Sequence, residues 1–114
     1  MNYDELTIEA KQFLLTFYKA YYKKIKSGES RDTARRFSNI YEVHEQYFSN
    51  WSVETTLDMV NELARKKWLD NLYGDDVPVR ITLKTESIAK LQQRFSEGTK
   101  QVFSELTKLK NLFA

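Results

Sequence analysis

The sequence predicts a mainly α-helical fold that is interrupted by one β-hairpin. Glycine and proline are scarce, with three and one among 114 residues, which suits long helices and short connections. Apolar side chains recur in steps of three and four over most of the chain, the spacing of one helix face. Between residues 69 and 83 the spacing changes to alternation, which is typical of a half-buried strand.

A long amphipathic helix is predicted over residues 5–27. Its broad apolar stripe comprises Leu6, Ala10, Phe13, Leu14, Phe17, Tyr18, Ala20, Tyr21 and Ile25. Lys26 suits the negative end of this helix, and Gly28 suits the position just beyond it. The aromatic run FLLTFYKAYY is interpreted as core or dimer interface, and the wall of a small-molecule pocket is the alternative.

Further helices are predicted between residues 31 and 68. Ser30 and Ser52 stand where the side-chain caps of two helix starts are expected. A break near Ser38 and Asn39 would divide the first of these segments into two short helices. The inner stripe of the helix after Ser52 is expected to consist of Val53, Leu57, Val60, Leu63, Ala64 and Trp68.

The hairpin has the arms WLDNLY and VPVRITL, which meet around Gly74, Asp75 and Asp76. Pro78 has no N–H to donate, so it belongs at a strand start or on a sheet edge. A two-stranded hairpin is marginal alone and needs a helix beneath it. The chain length of 114 residues is near the common size of a domain, so we expect residues 1–114 to form a single domain.

A last helix is predicted to begin near Thr85 and to run towards the end of the chain. Its apolar positions are Ile88, Leu91, Phe95, Thr99, Val102, Leu106, Leu109 and Phe113. From Phe95 the spacing is that of a heptad seam, which predicts that residues 86–114, helped by the first helix, form a homodimer. Gly98 is a weak point and a candidate kink.

The composition and the motifs of the sequence argue against several classes of protein. The absence of cysteine excludes disulfides and thiolate metal sites and favours a cytoplasmic protein. The polar N-terminus is not a signal peptide, and no apolar run approaches the roughly 18 residues of a membrane span. The lone His44 opens a His-Glu pair, but Phe48 stands where a zinc protease has its second histidine. We expect no enzyme, no metal and no cofactor.

This order of elements resembles the winged helix-turn-helix domain of small MarR-type and PadR-type bacterial regulators. The segment YEVHEQYFSNWSVETTLDMVNELARKKWL is similar to a helix-turn-helix, and VRITLKTESIAKLQQRF is similar to a wing strand followed by the next helix. Leu83, Lys84, Thr85 and Ser87 stand for that helix's opening motif without its usual glycine. The resemblance implies a homodimeric transcriptional regulator that binds double-stranded DNA through a recognition helix (about 52–67) and a wing (about 69–83).

The candidate DNA-binding residues follow from side-chain chemistry. Contacts to base edges are expected from Thr55, Thr56 and Asn61, and contacts to phosphates from Arg35, Arg36, Lys67 and Arg80. The alternative for the RDTARR segment is a surface helix start with Asp32 as an internal partner. Residues 52–84 contain five basic and six acidic residues, a net charge of −1. This balance keeps open a second interpretation, a protein-interaction module that does not bind DNA.

Overall fold

The computed structural model describes residues 2–112, in which the chain forms six α-helices and three β-strands. The helices are α1 (Ile8–Lys26), α2 (Arg31–Ala34), α3 (Ile40–Tyr47), α4 (Val53–Arg65), α5 (Thr85–Arg94) and α6 (Thr99–Asn111), and the strands are β1 (Arg36–Phe37), β2 (Leu69–Gly74) and β3 (Val77–Leu83). A 3-10 turn, Tyr3–Glu5, precedes α1. The protein is therefore mainly helical with one β-hairpin, as the sequence predicts, but the antiparallel sheet has a third strand, β1, in a segment for which the sequence predicts helix.

Four of the six α-helices begin at a side-chain cap, namely α1, α2, α3 and α4. The side chains of four residues each accept a hydrogen bond from the backbone N–H three positions on: Thr7, Ser30, Asn39 and Ser52. Each bond satisfies an N–H group that the first turn leaves without a partner. The caps at Ser30 and Ser52 and the break at Ser38 and Asn39 are confirmed. Gly28, with φ of 102°, follows the end of α1 as predicted.

The predicted hairpin is confirmed. Strand β2 pairs antiparallel with β3, with Leu69 opposite Leu83, and β1 pairs with the other edge of β3, giving the strand order β1-β3-β2. The turn places Asp75 and Asp76 in the left-handed region, at φ 53° and 65°, which aspartate tolerates better than most residues. Leu69, Ile81 and Leu83 are buried on the inner face, because alternate residues of a strand point to one side.

Helix α1 lies at the centre of the core. Phe13, Leu14 and Phe17 are fully buried. The ring of Phe17 stacks on Phe37 of β1 with centroids 3.9 Å apart, and the ring of Phe13 stacks on Phe48 at 4.5 Å. The aromatic members of this stripe are therefore core residues.

The C-terminal region is two helices where one was predicted. Helix α5 ends before Phe95, and Gly98 adopts φ of 96°, a conformation that breaks a helix, before α6 begins. The seam residues Val102, Leu106 and Leu109 are buried, and α6 packs on α1 of the same chain. Phe113, the last predicted seam position, lies outside the described residues. Among the helices that are described, none has the length and apolarity needed to cross a membrane.

Candidate nucleic-acid interface

The outer face of the sheet brings three predicted phosphate-binding residues together. Arg36 of β1 lies opposite Thr82 of β3, and Arg80 is two residues from Thr82, so both arginines point to the same side. They line a shallow groove, here called the arginine groove, whose members are Arg35, Arg36, Asp70, Asn71, Leu72, Arg80 and Thr82. Two distant parts of the chain thus supply one basic surface.

One carboxylate holds two of these arginines in place. Arg35 Nη2 and Arg36 Nη2 contact the two oxygens of Asp32 at 3.0 and 2.8 Å. Arg35 Nη1 also donates to the carbonyl oxygen of Leu83 at 3.4 Å. The side chains of Asp32 and Arg36 are 60% and 48% exposed, and ion pairs this exposed contribute only about 0–1 kcal/mol. The two ion pairs with Asp32 therefore add little to the stability of the fold.

Lys24 of α1 is a neighbour of strand β1 that sequence reasoning missed. Its Nζ donates to the carbonyl oxygen of Arg36 at 2.8 Å and lies 3.8 Å from the centre of the Phe37 ring. Burial lowers the pKa of Lys24. Lys24 thereby anchors the edge strand β1 to α1. Nothing in the local sequence of α1 signals this, because the contact joins residues twelve positions apart.

The predicted recognition helix α4 presents fewer polar groups than expected. Thr55 is exposed. The prediction for Thr56 is wrong, because Thr56 is fully buried and its hydroxyl donates to the carbonyl oxygen of Ser52 at 3.0 Å. The buried stripe of α4 runs through Thr56, Met59, Val60 and Leu63. Val60, Leu63 and Trp68 are buried as predicted, whereas Val53, Leu57 and Ala64 are only half-buried. Thr56 lies four residues before Val60 and seven before Leu63, a spacing that predicts burial on the same helix face. Its hydroxyl group favoured the incorrect prediction of an exposed residue.

Asn61 serves the structure of the hairpin. Its Oδ1 accepts a hydrogen bond from the hydroxyl of Tyr73 at 2.7 Å, and its side chain is half-buried. Asn71 Nδ2 in turn donates to the Tyr73 hydroxyl and to the carbonyl oxygen of Val60. Asn61 is therefore engaged in joining α4 to the hairpin. A contact of Asn61 with a base would compete with this bond.

Two further predictions concern positive and metal-binding groups near α4. Lys67 is exposed in the turn between α4 and β2, at φ of 69°, and is not among the residues that line the arginine groove. His44 Nε2 donates to the carbonyl oxygen of Trp51 at 2.7 Å and so ties α3 to the turn before α4. Within residues 2–112, no group of three or more histidine and carboxylate residues is placed to hold a metal ion.

Charge is segregated along the chain. Residues 19–36 contain seven basic and two acidic residues, a net charge of +5. Residues 40–64 contain five acidic residues and neither lysine nor arginine. The hairpin turn adds Asp75 and Asp76, and about 17 Å of strand separates that turn from the level of Arg36, at about 3.3 Å per residue. Arg36 therefore lies away from the acidic hairpin tip, whereas Arg80 is only three residues from Val77 at the turn.

Comparison of this chain with protein-family models, with curated proteins and with solved structures found no match.

Proposed function

We propose that this chain is a winged helix-turn-helix protein that binds double-stranded DNA and regulates transcription. The order of elements supports the proposal, since α3 and α4 are followed by the hairpin β2–β3 and β1 pairs with the far edge of β3. The hydrogen bond between Tyr73 and Asn61 joins the hairpin to α4. Recognition helix and wing would then approach DNA as one unit.

The observation that carries the proposal is the arginine groove. Arg35, Arg36 and Arg80 place three guanidinium groups along one open surface. A guanidinium donates two parallel hydrogen bonds to a phosphate, and it stays charged at every physiological pH. Such a surface contributes affinity for the DNA backbone and little information about sequence.

The charges on α4 determine how the DNA would dock. Glu54 and Asp58 are exposed on either side of Thr55, and carboxylates at these places would repel phosphates if α4 entered the major groove deeply. The main phosphate contacts are therefore assigned to the arginine groove. Thr55 is the one predicted base-contacting residue that is exposed in the structure.

Fluorescence anisotropy with a labelled duplex tests this proposal. We expect the double variant Arg36→Glu with Arg80→Glu to lose about tenfold or more in affinity at low salt. The slope of its affinity against salt concentration should decrease by the amount that corresponds to about two phosphate contacts. The matched control is Lys90→Glu with Lys100→Glu, which makes the same change in net charge at exposed positions outside the groove. Equal losses in both variants, or no binding of the natural sequence by micromolar protein at low salt, would contradict the proposal.

The acidic surface of α3 and α4 favours a second candidate function, the docking of a basic protein. Residues 40–64 carry five acidic side chains, and Tyr41 on α3 is 61% exposed beside them. Exposed tyrosine is enriched at protein interfaces. The variant Glu54→Lys with Asp58→Lys separates the two functions. It should strengthen binding to DNA if α4 faces the duplex, and it should abolish docking of a basic protein.

The homodimer that the heptad pattern predicts belongs to the same proposal. Because the seam residues are covered within one chain, a second copy would pack on another side of α6, the one on which Phe103 is 49% exposed. Light scattering after size exclusion measures the assembly. We expect the natural sequence to be a dimer and Phe103→Glu to be a monomer. If the natural sequence is monomeric at about 100 μM, the predicted homodimer is excluded.

A further inference from the structure

The basic and the acidic region of this chain do not neutralise each other within one molecule. Residues 19–36 have a net charge of +5, and residues 40–64 contain five acidic residues and neither lysine nor arginine. No ion pair joins one region to the other in the part of the chain that the structure describes. Surfaces of opposite charge attract each other and align two molecules as they meet.

The basic side is a stripe of lysines on α1 that continues onto α6. Lys19, Lys23 and Lys26 are three or four residues apart, so they share one face of the helix. Lys110 of α6 lines the same cavity as Lys19. Burial, reinforced by the like charges of Lys23 and Lys110, lowers the pKa of Lys19. These four lysines are here called the lysine face. None of them forms an ion pair within residues 2–112, and none lines the arginine groove.

The acidic side lies on α3 and α4, which pack against each other. Glu62 is the one carboxylate there with a cationic partner, since its Oε2 lies 3.5 Å from Lys66 Nζ. The other four are exposed and form no ion pair in the described chain, and they are here called the acidic face: Glu42, Glu45, Glu54 and Asp58. Tyr41, which is 61% exposed, precedes Glu42 on α3 and adds apolar area to this face.

The two faces match in number and in spacing. Lys19 and Lys23 are four residues apart on α1, which is about 6 Å along the helix at 1.5 Å per residue. Glu54 and Asp58 are also four residues apart on α4. An exposed ion pair contributes only about 0–1 kcal/mol, so a stable contact needs several pairs at once. Each face carries four charges, which is enough for several pairs.

We infer that the lysine face of one copy docks on the acidic face of a second copy. A second copy fits because the chain supplies both faces in equal amount at every concentration. In a pair with twofold symmetry each contact occurs twice, which doubles the number of ion pairs. This inference rests on the second candidate function above, the docking of a basic protein, and not on DNA binding. It also differs from the homodimer through Phe103 in being electrostatic.

Light scattering of the full chain at two salt concentrations tests the inference. At about 100 μM protein we expect a larger mean mass in about 20 mM salt than in about 500 mM salt, because the screening length falls from about 20 Å to about 4 Å. The apparent association constant should fall at least about tenfold between these conditions. A homodimer held by apolar contacts would keep its mass at the higher salt concentration. Equal mass in both conditions would overturn the inference.

Two charge-reversed variants locate the contact. The first is Lys23→Glu with Lys26→Glu, and the second is Glu54→Lys with Asp58→Lys. In each variant alone, every copy has one reversed face, so association at low salt should weaken at least about tenfold. An equimolar mixture of the two should associate again, because each natural face then meets its natural opposite and each reversed face meets its reversed opposite. A mixture that stays dissociated would overturn the inference.

The matched control is Lys90→Glu with Lys100→Glu, which changes the net charge as much as the first variant at exposed positions outside the lysine face. It should associate as the natural chain does, and an equal loss in this control would also overturn the inference. Circular dichroism verifies that each variant is folded. A lysine-rich peptide separates the inference from the second candidate function. If the chain binds this peptide but does not self-associate at low salt, the second copy is not the partner, and the more general docking function stands.

Discussion

Residues 19–36 and residues 40–64 have opposite charge but share one core. The first region is basic and ends at β1, where Phe37 stacks on Phe17. The second is acidic and begins with α3, where Tyr47 meets the same Phe17 ring edge-on at 6.0 Å. Uncharged aromatic rings thus make the contacts that join both regions to Phe17, and the opposite charges of the two regions are not part of these contacts.

The largest effect is expected where the two regions meet. Phe17→Ala removes a fully buried ring that contacts both, and we expect a loss of about 3–5 kcal/mol in the free energy of unfolding. Urea unfolding followed by far-ultraviolet circular dichroism measures this loss. A single shifted transition is expected. Two separate transitions would show that the basic and acidic regions do not share a cooperative core.

A pair of neighbouring threonines tests the position of α4 in the acidic region. Thr56→Ala leaves a small cavity and removes a buried hydrogen bond to Ser52, and it should cost about 1–2 kcal/mol. Thr55→Ala changes an exposed side chain and should alter stability by about 0.5 kcal/mol or less. Thermal unfolding of both variants provides the comparison. Equal costs would mean that α4 does not bury the face described above.

The corresponding test in the basic region concerns Lys24. Lys24→Met keeps the apolar stem but removes the ammonium that donates to Arg36 and lies over Phe37, and we expect a loss of about 1 kcal/mol. Lys23→Met is the control, because Lys23 is the exposed neighbour. Hydrogen exchange at Arg36 and Phe37 should become faster in the first variant only. If the β1 amides stay equally protected from hydrogen exchange, Lys24 does not anchor β1.

The substitution with the smallest expected effect on stability, Asp32→Asn, should have a measurable effect on DNA binding. Asp32→Asn breaks two exposed ion pairs and should change the free energy of unfolding by about 1 kcal/mol or less. It also frees Arg35 and Arg36, so affinity for a DNA duplex at low salt should rise several-fold. Asp58→Asn makes the same charge change on α4. If Asp58→Asn raises affinity as much as Asp32→Asn, the arginine groove is not the preferred side for DNA.

Much of the fold was predictable because its signals are local. The caps at Ser30 and Ser52 depend on a side chain and a backbone N–H three residues apart, and the hairpin depends on alternation within one short stretch. The candidate site was predictable only in part. Arg35, Arg36 and Arg80 were selected by chemistry, but their meeting in one groove depends on the pairing of β1 with β3. Thr56 was misplaced, because its type suggested the surface while its position on α4 placed it inside.

By itself, the sequence determined the starts of α2, α4 and α5, the hairpin and its turn, and the aromatic core of α1, since each follows from the chemistry and spacing of near neighbours. Only the tertiary structure decided that Lys24 holds β1, that Asn61 joins the hairpin, and that the heptad seam of α6 is buried on α1. These outcomes depend on which surfaces the chain brings together over long separations. One short segment can pack in many places, and the energy of the whole core selects among them.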